Sequence, residues 1–280
     1  MKNETVSVII PWCDRPELAE SVRRNRDAFR KSNADVIVVN CGGDPNICQR
    51  CVATCPQSIR MLNLPVQFNK SLALNIGAKA SSRDVLMLLD ADVAIPDDFF
   101  SLLLRHYEAG FCVTVEQVFE SDIKELRTDD HTPHAFEIAH YFEFVNAGGK
   151  KVTIETQRQH LPSGSRSGPG LLLVSRREFI EVGGMNSRLE GWGWEDIDLL
   201  VRLELLLGTK RRQAAWVTHI RGTHAQTTYQ KASSQELNFR TCLANYSSSI
   251  LEGTFTHDIQ KWGRKAKWQF LDRTGARLRS

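Results

Sequence analysis

The sequence predicts an α/β protein built on a mostly parallel, doubly wound sheet. Three observations lead to this prediction. Short apolar and β-branched runs recur in the first third of the chain, each long enough for a strand buried on both faces. Segments of helical character separate them. Two carboxylates, Asp90 and Asp92, directly follow the run Val85–Leu89, at the place where ligands bind in open parallel sheets.

The first half of the chain alternates strands with helices. The strand Thr5–Ile10 ends at Pro11, and a helix begins at Pro16 because proline is favoured in a first helical turn. The next elements are the strand Asp35–Asn40, the helix Asn69–Ala80 and the strand Val85–Leu89. This alternation predicts a right-handed, doubly wound half of the nucleotide-binding type.

The second half is less regular. Its predicted elements are the helix Asp97–Tyr107, the strand Phe111–Val115, the strand Gly170–Val174, the helix Arg177–Val182, the helix Glu195–Leu207 and the strand Ala214–His219. Between Glu116 and Ser167 no period persists, so we expect a long irregular insertion, with a mobile stretch at Leu161–Gly170. Residues 1–230 are predicted to form one domain with halves at 1–115 and 116–230, followed by a helical tail at 231–280.

The composition is that of a soluble globular protein. Hydrophobic residues make up 41% and charged residues 25% of the 280 positions, and the net charge is +3. This mild positive charge suits an anionic ligand but falls far short of a nucleic-acid-binding surface. The chain opens without a signal peptide and has no apolar run of membrane-spanning length, so a cytoplasmic protein is expected.

Aromatic and basic residues are mixed in the segment Lys261–Phe270. Such a segment is a candidate for peripheral contact with the inner face of a membrane, or for contact with an anionic partner. The preferred alternative is an ordinary C-terminal helix that packs Trp262 and Trp268 against the domain.

Four of the seven cysteines are close together in the sequence, at Cys41, Cys48, Cys51 and Cys55. A zinc or iron–sulfur site would need all four as thiolates, and their spacing matches neither a paired zinc site nor a ferredoxin run. Small buried cysteines are the favoured interpretation, since a cytosolic chain is expected to keep its thiols reduced.

Asp90 and Asp92 form the first candidate site. The two-residue period of a strand turns both carboxylates toward one side, where two anions repel unless a cation or a proton relieves them. We therefore hypothesise that they hold a divalent metal that carries a phosphate-bearing ligand. The alternative is a turn or helix-capping pair, because Pro96 and an apolar helix follow shortly.

A second candidate site lies at the start of the helix predicted at Glu195–Leu207. The carboxylates in its first turn are Glu195, Asp196 and Asp198. Acidic residues at this position also complement the helix dipole, which is the simpler explanation. That explanation does not account for Trp192 and Trp194 immediately upstream. Exposed tryptophans stack on the apolar faces of sugars, and a neighbouring carboxylate could accept a proton from a sugar hydroxyl.

Together these stretches resemble an inverting glycosyltransferase of the GT-A fold, similar to glycosyltransferase family 2 and with a galactosyltransferase-type C-terminal segment. The matching motifs, in order, are Val6–Pro11 with Asp14-Arg15, Phe68–Ala78, the Asp-x-Asp motif Asp90–Asp92, Gly170–Asn186, and Gly191–Asp196. The last resembles the Gly-Trp-Gly-x-Glu-Asp motif shared by β-1,4-galactosyltransferases and bacterial chondroitin-polymerase domains. The resemblance spans roughly Val6 to His224, and the order and spacing of the motifs make it specific.

The resemblance implies a role for each matching position. The donor-binding residues would be Pro11, Asp14, Asn40, Lys70, Asn75, Asp90 and Asp92. The residues on the acceptor side would be Asp196 as general base, Glu195 as the group that orients the acceptor, and Trp192 and Trp194 as further contacts. A metal ion, Mn²⁺ or Mg²⁺, would be held by Asp92 and a histidine. His224 has the better spacing for that histidine, and His219 is the alternative.

The implied reaction is transfer of a sugar from a nucleotide-sugar, with a UDP-sugar favoured, to an acceptor hydroxyl. The metal would offset charge on the leaving diphosphate while Asp196 takes the acceptor proton, and a single displacement gives inversion. A process such as polysaccharide biosynthesis is implied. The acceptor stays open among glycans, glycolipids, peptides and small molecules, because the loops that would shape its site carry no decodable signal.

Two departures from the family pattern bear on recognition. The turn after the second strand is Asn40–Asp44 instead of the usual acidic turn, which puts nucleotide recognition in doubt. Trp194 stands where the β-1,4-galactosyltransferases have a glycine, which adds bulk beside the acceptor.

Three rival interpretations stay open. A sugar-phosphate nucleotidyltransferase also pairs a doubly wound domain with metal-binding carboxylates, but here Pro11–Asp14 replaces its glycine-rich phosphate loop. A non-catalytic sugar- or nucleotide-binding module could use the same fold. A retaining transferase differs only in stereochemistry, which a sequence does not display.

Overall fold

The structure is a computed structural model that describes residues 5–53, 59–121, 136–161, 163–222 and 228–269. A mixed sheet runs through the molecule. Its strands are β1 (Val6–Trp12), β2 (Asp35–Cys41), β3 (Arg60–Leu64), β4 (Val85–Leu88), β5 (Val93–Ala94), β6 (Phe111–Glu120), β7 (Phe136–Val145), β8 (Lys151–Leu161), β9 (Ser165–Ser175), β10 (Lys210–His219) and β11 (Lys267–Gln269). Along the sheet their order is β11-β3-β2-β1-β4-β9-β6-β10-β5, and the hairpin of β7 and β8 attaches through β9.

Helices cover both faces of this sheet. They are α1 (Glu17–Lys31), α2 (Pro45–Val52), α3 (Lys70–Ala80), α4 (Phe99–His106), α5 (Arg176–Glu181), α6 (Glu195–Arg202), α7 (Thr228–Ser247) and α8 (Phe255–Trp262). A π-helical turn, Leu203–Leu207, extends α6. None of the helices within the described ranges is both long enough and apolar enough to cross a membrane.

The first half has the doubly wound arrangement that the sequence predicts. Strand β1 pairs in parallel with β2 and β4, and β2 pairs in parallel with β3. Successive residues of β1 enter opposite layers of the core: Val8 packs with α1, α2 and α4, whereas Ile9 packs with α3 and α6. Burial on both faces explains why these strands are continuous apolar runs. All their carboxyl ends therefore meet at one edge of the sheet.

The second half is mixed, because β9 runs antiparallel to both β4 and β6. Strand β10 then pairs in parallel with β6 and antiparallel with β5. This topology carries the ends of β6 and β10 and the start of β5 to the same edge as the end of β4. The Asp-x-Asp segment and the later strands consequently share one site.

The expectation of an irregular, partly mobile insertion at residues 116–170 is wrong for most of its length. Strand β6 continues to Glu120, β7 and β8 form a long hairpin, and β9 begins at Ser165. The hairpin is not evident from the sequence because β7 is mostly exposed and buries only part of one face, at Phe142 and Phe144, so no long apolar run marks it. The sequence reading also omitted α2 and β3.

The helix predicted over Glu195–Leu207 is regular only as far as Arg202. Inside it, Asp198 is buried and accepts hydrogen bonds from Arg202 Nε at 2.9 Å and Tyr246 Oη at 3.0 Å. The Arg202 side chain also donates to the Val182 carbonyl oxygen at 2.6 Å. Asp198 therefore joins α6 to α7 and has a structural role, unlike the two carboxylates that precede it.

The C-terminal tail packs on the domain, as the preferred interpretation of its tryptophans expected. It contains α7 and α8, but it ends on a strand, β11, that pairs with β3 at the edge of the sheet. Trp262 lies on α8 and is partly buried against the core, and the Arg60 guanidinium stacks over the Trp268 ring at 4.8 Å. Phe270 lies outside the described residues.

Candidate active site

Three of the expected donor-binding residues meet where β1 and β2 end. Asn40 is paired in register with Trp12, one residue after Pro11. Its buried side-chain amide donates to the Gly43 carbonyl oxygen at 3.0 Å and accepts from the Gly43 N–H at 2.9 Å. Asp14 accepts a hydrogen bond from the Asp44 N–H at 2.8 Å. A side chain at Gly43 would collide with Trp12 and Asn40, so the glycine keeps this turn tight.

Lys70 connects the two candidate sites. It is the first residue of α3, and its Nζ lies 2.9 Å from Asp90 Oδ1 and 3.8 Å from Glu195 Oε1. Burial opposes the positive charge of this side chain, but the carboxylates of Asp90, Glu195 and Asp196 outweigh it and raise the pKa of Lys70. The Asp-x-Asp segment and the start of α6 are therefore held around one ammonium group.

Asp196 lies in the same cleft, beside Gly170. Its Oδ1 accepts a hydrogen bond from the Ile197 N–H at 2.8 Å. A Cβ added to Gly170 would lie 2.9 Å from Asp196 Oδ2 and 3.5 Å from Lys70 Nζ. A side chain at Gly170 would therefore require the Asp196 carboxylate to shift. The cleft floor is apolar, with Leu74, Leu88, Leu172, Met185 and Leu199 among its lining residues.

Glu195 is the most perturbed carboxyl group of this cluster. Burial, followed by the charge of Asp196, raises its pKa from 4.5 to about 7, and Lys70 offsets only part of this effect. Its Oε2 atom is buried and has no hydrogen-bond partner within the described part of the chain. An unsatisfied buried oxygen of this kind is costly unless a ligand donates to it.

We expect replacement of Glu195 by glutamine to remove part of the pH dependence of stability. Its folded-state pKa is about 7, above the ordinary value of 4.5, so the stabilisation present below the lower value is lost as pH rises through the higher one. Relative to the variant, the wild type should lose roughly 2–3 kcal/mol of unfolding free energy over that range. Urea denaturation at pH 5 and pH 8 measures the difference. Glu190→Gln, at an exposed position, is the control. If the unfolding free energies of Glu195→Gln and the wild type change equally between pH 5 and pH 8, the raised pKa of Glu195 is contradicted.

The loop that carries Trp192 and Trp194 is held by α7. Asn238 of α7 donates through its side-chain amide to the carbonyl oxygens of Glu190 at 3.0 Å and Gly193 at 2.9 Å. Trp192 is 47% exposed, which leaves indole surface accessible. The ring of Trp194 packs against Phe239 at 4.6 Å and against a phenylalanine of β7. Its expected contact with the acceptor stays a prediction.

Asn75, which was also expected to bind the donor, has its side chain engaged inside the protein. It is fully buried in α3, and its side-chain amide bonds the backbone of Met185 and the carboxylate of Asp258. Asn75 therefore fixes the segment before the tryptophan loop to α3 and α8. Its hydrogen-bonding groups are committed within the protein.

Asp92, the second aspartate of the Asp-x-Asp motif, lies beside His219. His219 ends β10, and its Nε2 lies 3.3 Å from Asp92 Oδ2, while its Nδ1 lies 2.6 Å from Glu120 Oε2. Hydrogen bonds that the imidazole donates to these two carboxylates raise the pKa of His219 to about 9. Burial acts against ionisation of Asp92, but the hydrogen bond and charge of His219, together with Arg15, hold its pKa below the ordinary range. His224, the histidine favoured from spacing, lies outside the described residues.

The chemistry of this donor set fits a divalent ion, although the described residues supply only part of a site. Within the described ranges, no group of three or more His, Cys, Asp or Glu side chains is placed to hold a metal ion. Asp92 and His219 nevertheless present a carboxylate oxygen and an imidazole nitrogen to each other, a combination that Mn²⁺ and related ions accept. They would be the ligands from this part of the chain.

Two residues of this site were not identified from the sequence. Arg15 Nη1 lies 3.7 Å from Asp92 Oδ2, close to the edge where an anionic ligand would lie. Glu120 contacts His219, but it was assigned to the irregular insertion. Val113 and Val115 lie in the predicted strand Phe111–Val115, and Val118 is the signal that extends this strand to Glu120. A strand of that length places the Glu120 carboxylate at the sheet edge.

The clustered cysteines are buried where the structure describes them. Within the described residues, Cys41, Cys48 and Cys51 form no disulfide, and Cys55 lies outside them. Burial raises the pKa of the Cys41 thiol to about 11 and raises that of Cys48 as well. These residues act as small apolar side chains in the core.

Two sequence profiles of known families match the chain. Residues 7–164 match glycosyl transferase family 2, and residues 150–224 match the profile described as the N-terminal domain of galactosyltransferase. The two matches together cover the span over which the motifs were recognised. Among curated protein sequences, none matches this chain.

Solved structures share its fold. One is the mannosyltransferase PcManGT from Pyrobaculum calidifontis in complex with GDP-Man and Mn²⁺, with a TM-score of 0.52, 13% identity, and coverage of 91% of this chain and 67% of that chain. Another is glucosyl-3-phosphoglycerate synthase from Mycobacterium tuberculosis in complex with Mn²⁺, UDP and glucosyl-3-phosphoglycerate. For that structure the TM-score is 0.53 and the identity 16%, with coverage of 87% of this chain and 80% of that chain.

Proposed function

Because the chain belongs to glycosyl transferase family 2, we propose that it moves a sugar from a UDP-sugar to an acceptor hydroxyl with inversion of the anomeric centre. The predicted family, the galactosyltransferase-type segment and the glycosyltransferase class are confirmed by the profile matches. The predicted GT-A fold is confirmed by the structural neighbours. The donor nucleotide, the stereochemistry and the residue roles are the proposal.

The observation that carries the proposal is the position of Lys70 between two distant motifs. Its contacts to Asp90 and Glu195 bring the Asp-x-Asp segment and the start of α6 to one cleft. A group transfer needs a leaving group and a nucleophile held on opposite sides of the transferred carbon. Two carboxylate-bearing segments that face each other across an apolar floor suit these two tasks.

On the leaving-group side, Asp92 and His219 would hold a divalent ion, with His224 as a further proposed ligand. Such an ion, when bound, offsets the negative charge that builds on a departing nucleoside diphosphate. The Arg15 guanidinium beside Asp92 adds a positive charge from the chain itself. Lys70 supplies another at Asp90, where the ribose or diphosphate is expected.

On the nucleophile side, Asp196 would act as the general base. Its Oδ1 is fixed by the backbone of α6, which leaves Oδ2 beside Gly170 to take the acceptor proton. The unsatisfied Oε2 of Glu195 is suited to accept a second acceptor hydroxyl and so orient the nucleophile. Attack in one displacement, without a carboxylate nucleophile, inverts the anomeric configuration.

The proposed donor and acceptor classes are supported by two separate observations. The structural neighbours were solved with GDP-Man and with UDP, and we propose a UDP-sugar bound near Pro11, Asp14 and Asn40. The exposed indole of Trp192 suits stacking on a sugar ring of the acceptor. A glycan acceptor, and hence a step in polysaccharide biosynthesis, is therefore the proposed use.

The test is a thermal-shift screen of nucleotide-sugars with Mn²⁺, followed by NMR of the product's anomeric configuration. A ligand at 100 times its Kd should stabilise the folded protein by about 2.7 kcal/mol. UDP-sugars should raise Tm only when Mn²⁺ is present, and the product should be inverted. Stabilisation by GDP-sugars alone would contradict the proposed donor. A retained product would contradict the single displacement, and pyrophosphate release from a nucleoside triphosphate would favour a nucleotidyltransferase.

A further inference from the structure

Glu120 has no role in the reaction as described so far, yet its position is closely defined. It ends β6 and is paired in register with His219 at the end of the parallel strand β10. The Ser121 N–H donates to the His219 carbonyl oxygen at 3.0 Å. On the other side, the Ile220 N–H donates to the Asp92 carbonyl oxygen at 2.7 Å. Backbone hydrogen bonds therefore hold the neighbouring strand ends that carry Glu120, His219 and Asp92 side by side.

The imidazole of His219 lies between two carboxylates that are not equivalent. The 2.6 Å contact from Nδ1 to Glu120 Oε2 is a short, charge-assisted hydrogen bond, whereas Nε2 and Asp92 Oδ2 are 3.3 Å apart. A histidine can bind a metal ion through one nitrogen only if that nitrogen carries a lone pair. The closer carboxylate decides which nitrogen keeps the proton.

Glu120 is itself held in place. Arg166 of β9 lies with its Nε 3.4 Å from Glu120 Oε1, the oxygen that does not contact His219. The Glu120 side chain is only 20% exposed. A carboxylate that is anchored by an arginine and receives Nδ1–H leaves Nε2 directed toward Asp92.

We infer that Glu120 is a positioning residue for the metal ion: by holding Nδ1 it fixes the ring orientation of His219, so that Nε2 is the nitrogen that faces an ion bound beside Asp92. This inference rests on the proposed function, which places a divalent ion at Asp92. Outer carboxylates that orient metal-binding histidines commonly change metal affinity by about 10–100-fold when removed. Glu120 contributes no ligand atom in this scheme.

The test measures binding of Mn²⁺ alone to the full-length protein. Calorimetry gives the Kd, and pulsed electron paramagnetic resonance detects the ¹⁴N coupling of a histidine bound to Mn²⁺. The variants are Glu120→Gln, which keeps the shape without the charge, Glu120→Ala, and His219→Ala. Glu116→Gln is the matched control, because it makes the same change at an exposed position of the same strand.

We expect Glu120→Gln and Glu120→Ala to weaken Mn²⁺ binding by about 10–100-fold and to reduce the ¹⁴N coupling, with Glu116→Gln unchanged. Thermal melting establishes that each variant is folded, and a folded Glu120 variant with wild-type affinity and coupling would overturn the inference. If His219→Ala loses the coupling while both Glu120 variants keep it, the metal site stands and only the role of Glu120 fails. If the wild type itself binds no Mn²⁺, the proposed metal site fails, and the inference fails with it.

Discussion

Replacing Asp196 with asparagine is expected to reduce sugar transfer by about a thousandfold, since a positioned general base contributes roughly 10²–10⁴-fold. Asparagine keeps the size of the side chain, and its carbonyl oxygen can still accept the Ile197 N–H. It cannot accept the proton of the acceptor hydroxyl. The loss should therefore lie in kcat, with the affinity for the nucleotide-sugar nearly unchanged.

Initial rates and donor titrations on the same preparation separate these two effects. Asp98→Asn is the control, because Asp98 is exposed at the start of α4 and its side chain makes no capping hydrogen bond. Transfer within tenfold of wild type by Asp196→Asn would remove the general-base assignment. A large loss of donor affinity would instead indicate that Asp196 belongs to the donor site.

Replacing Asp92 with alanine should abolish the part of donor binding that depends on metal. The variant loses the carboxylate that faces His219 Nε2 at 3.3 Å and also the anionic partner of Arg15. Without Mn²⁺, wild type and variant should bind nucleotide-sugar with similar affinity. With Mn²⁺, only the wild type should gain affinity, and we expect a difference of about 100-fold or 2.7 kcal/mol.

Calorimetry with and without Mn²⁺ gives all four affinities in this comparison. Asp98→Ala, at the exposed start of α4, controls for removing a nearby carboxylate. A variant that keeps the full Mn²⁺-dependent gain would show that the ion is held elsewhere. Because we propose that Asp92 and Asp196 serve opposite sides of the reaction, we expect the two variants to differ in kind: Asp92→Ala should lose donor binding, and Asp196→Asn should lose turnover.

The parallel half of the fold was predictable because its strands are buried on both faces. Every residue of β1 is buried, so the apolar run is the pattern that the environment demands. The position of the Asp-x-Asp segment at the sheet edge is then predicted by the residue at which the buried strand ends. Neither inference needed information from distant parts of the chain.

The hairpin and the histidine contact could not be predicted in the same way. Strand β7 is mostly exposed, with Phe142 and Phe144 partly buried against the core, so no long apolar run marks it. The contact of His219 with Asp92 depends on the pairing of β10 with β5 and β6, which is a non-local property. Sequence spacing measures distance along the chain and does not contain that pairing.

Trp194 illustrates a local rule that tertiary structure overrides. Its φ of 71° is in the left-handed region, where a bulky residue is unfavourable and glycine is usual. The sequence predicted a residue that contacts the acceptor. The structure shows an indole packed against Phe239, with Phe142 at its edge. This aromatic packing offsets the backbone strain and ties the loop to β7 and α7.

Lys70 links the occupancies of the two halves of the cleft. One ammonium group is shared between Asp90 and Glu195, so an anionic ligand that binds beside Asp90 competes for the same charge. Any factor by which the donor changes acceptor affinity must equal the factor by which the acceptor changes donor affinity, because the coupling free energy is reciprocal. The size of this coupling then depends on how Lys70 divides its charge between the two carboxylates, and it is the same whichever substrate binds first.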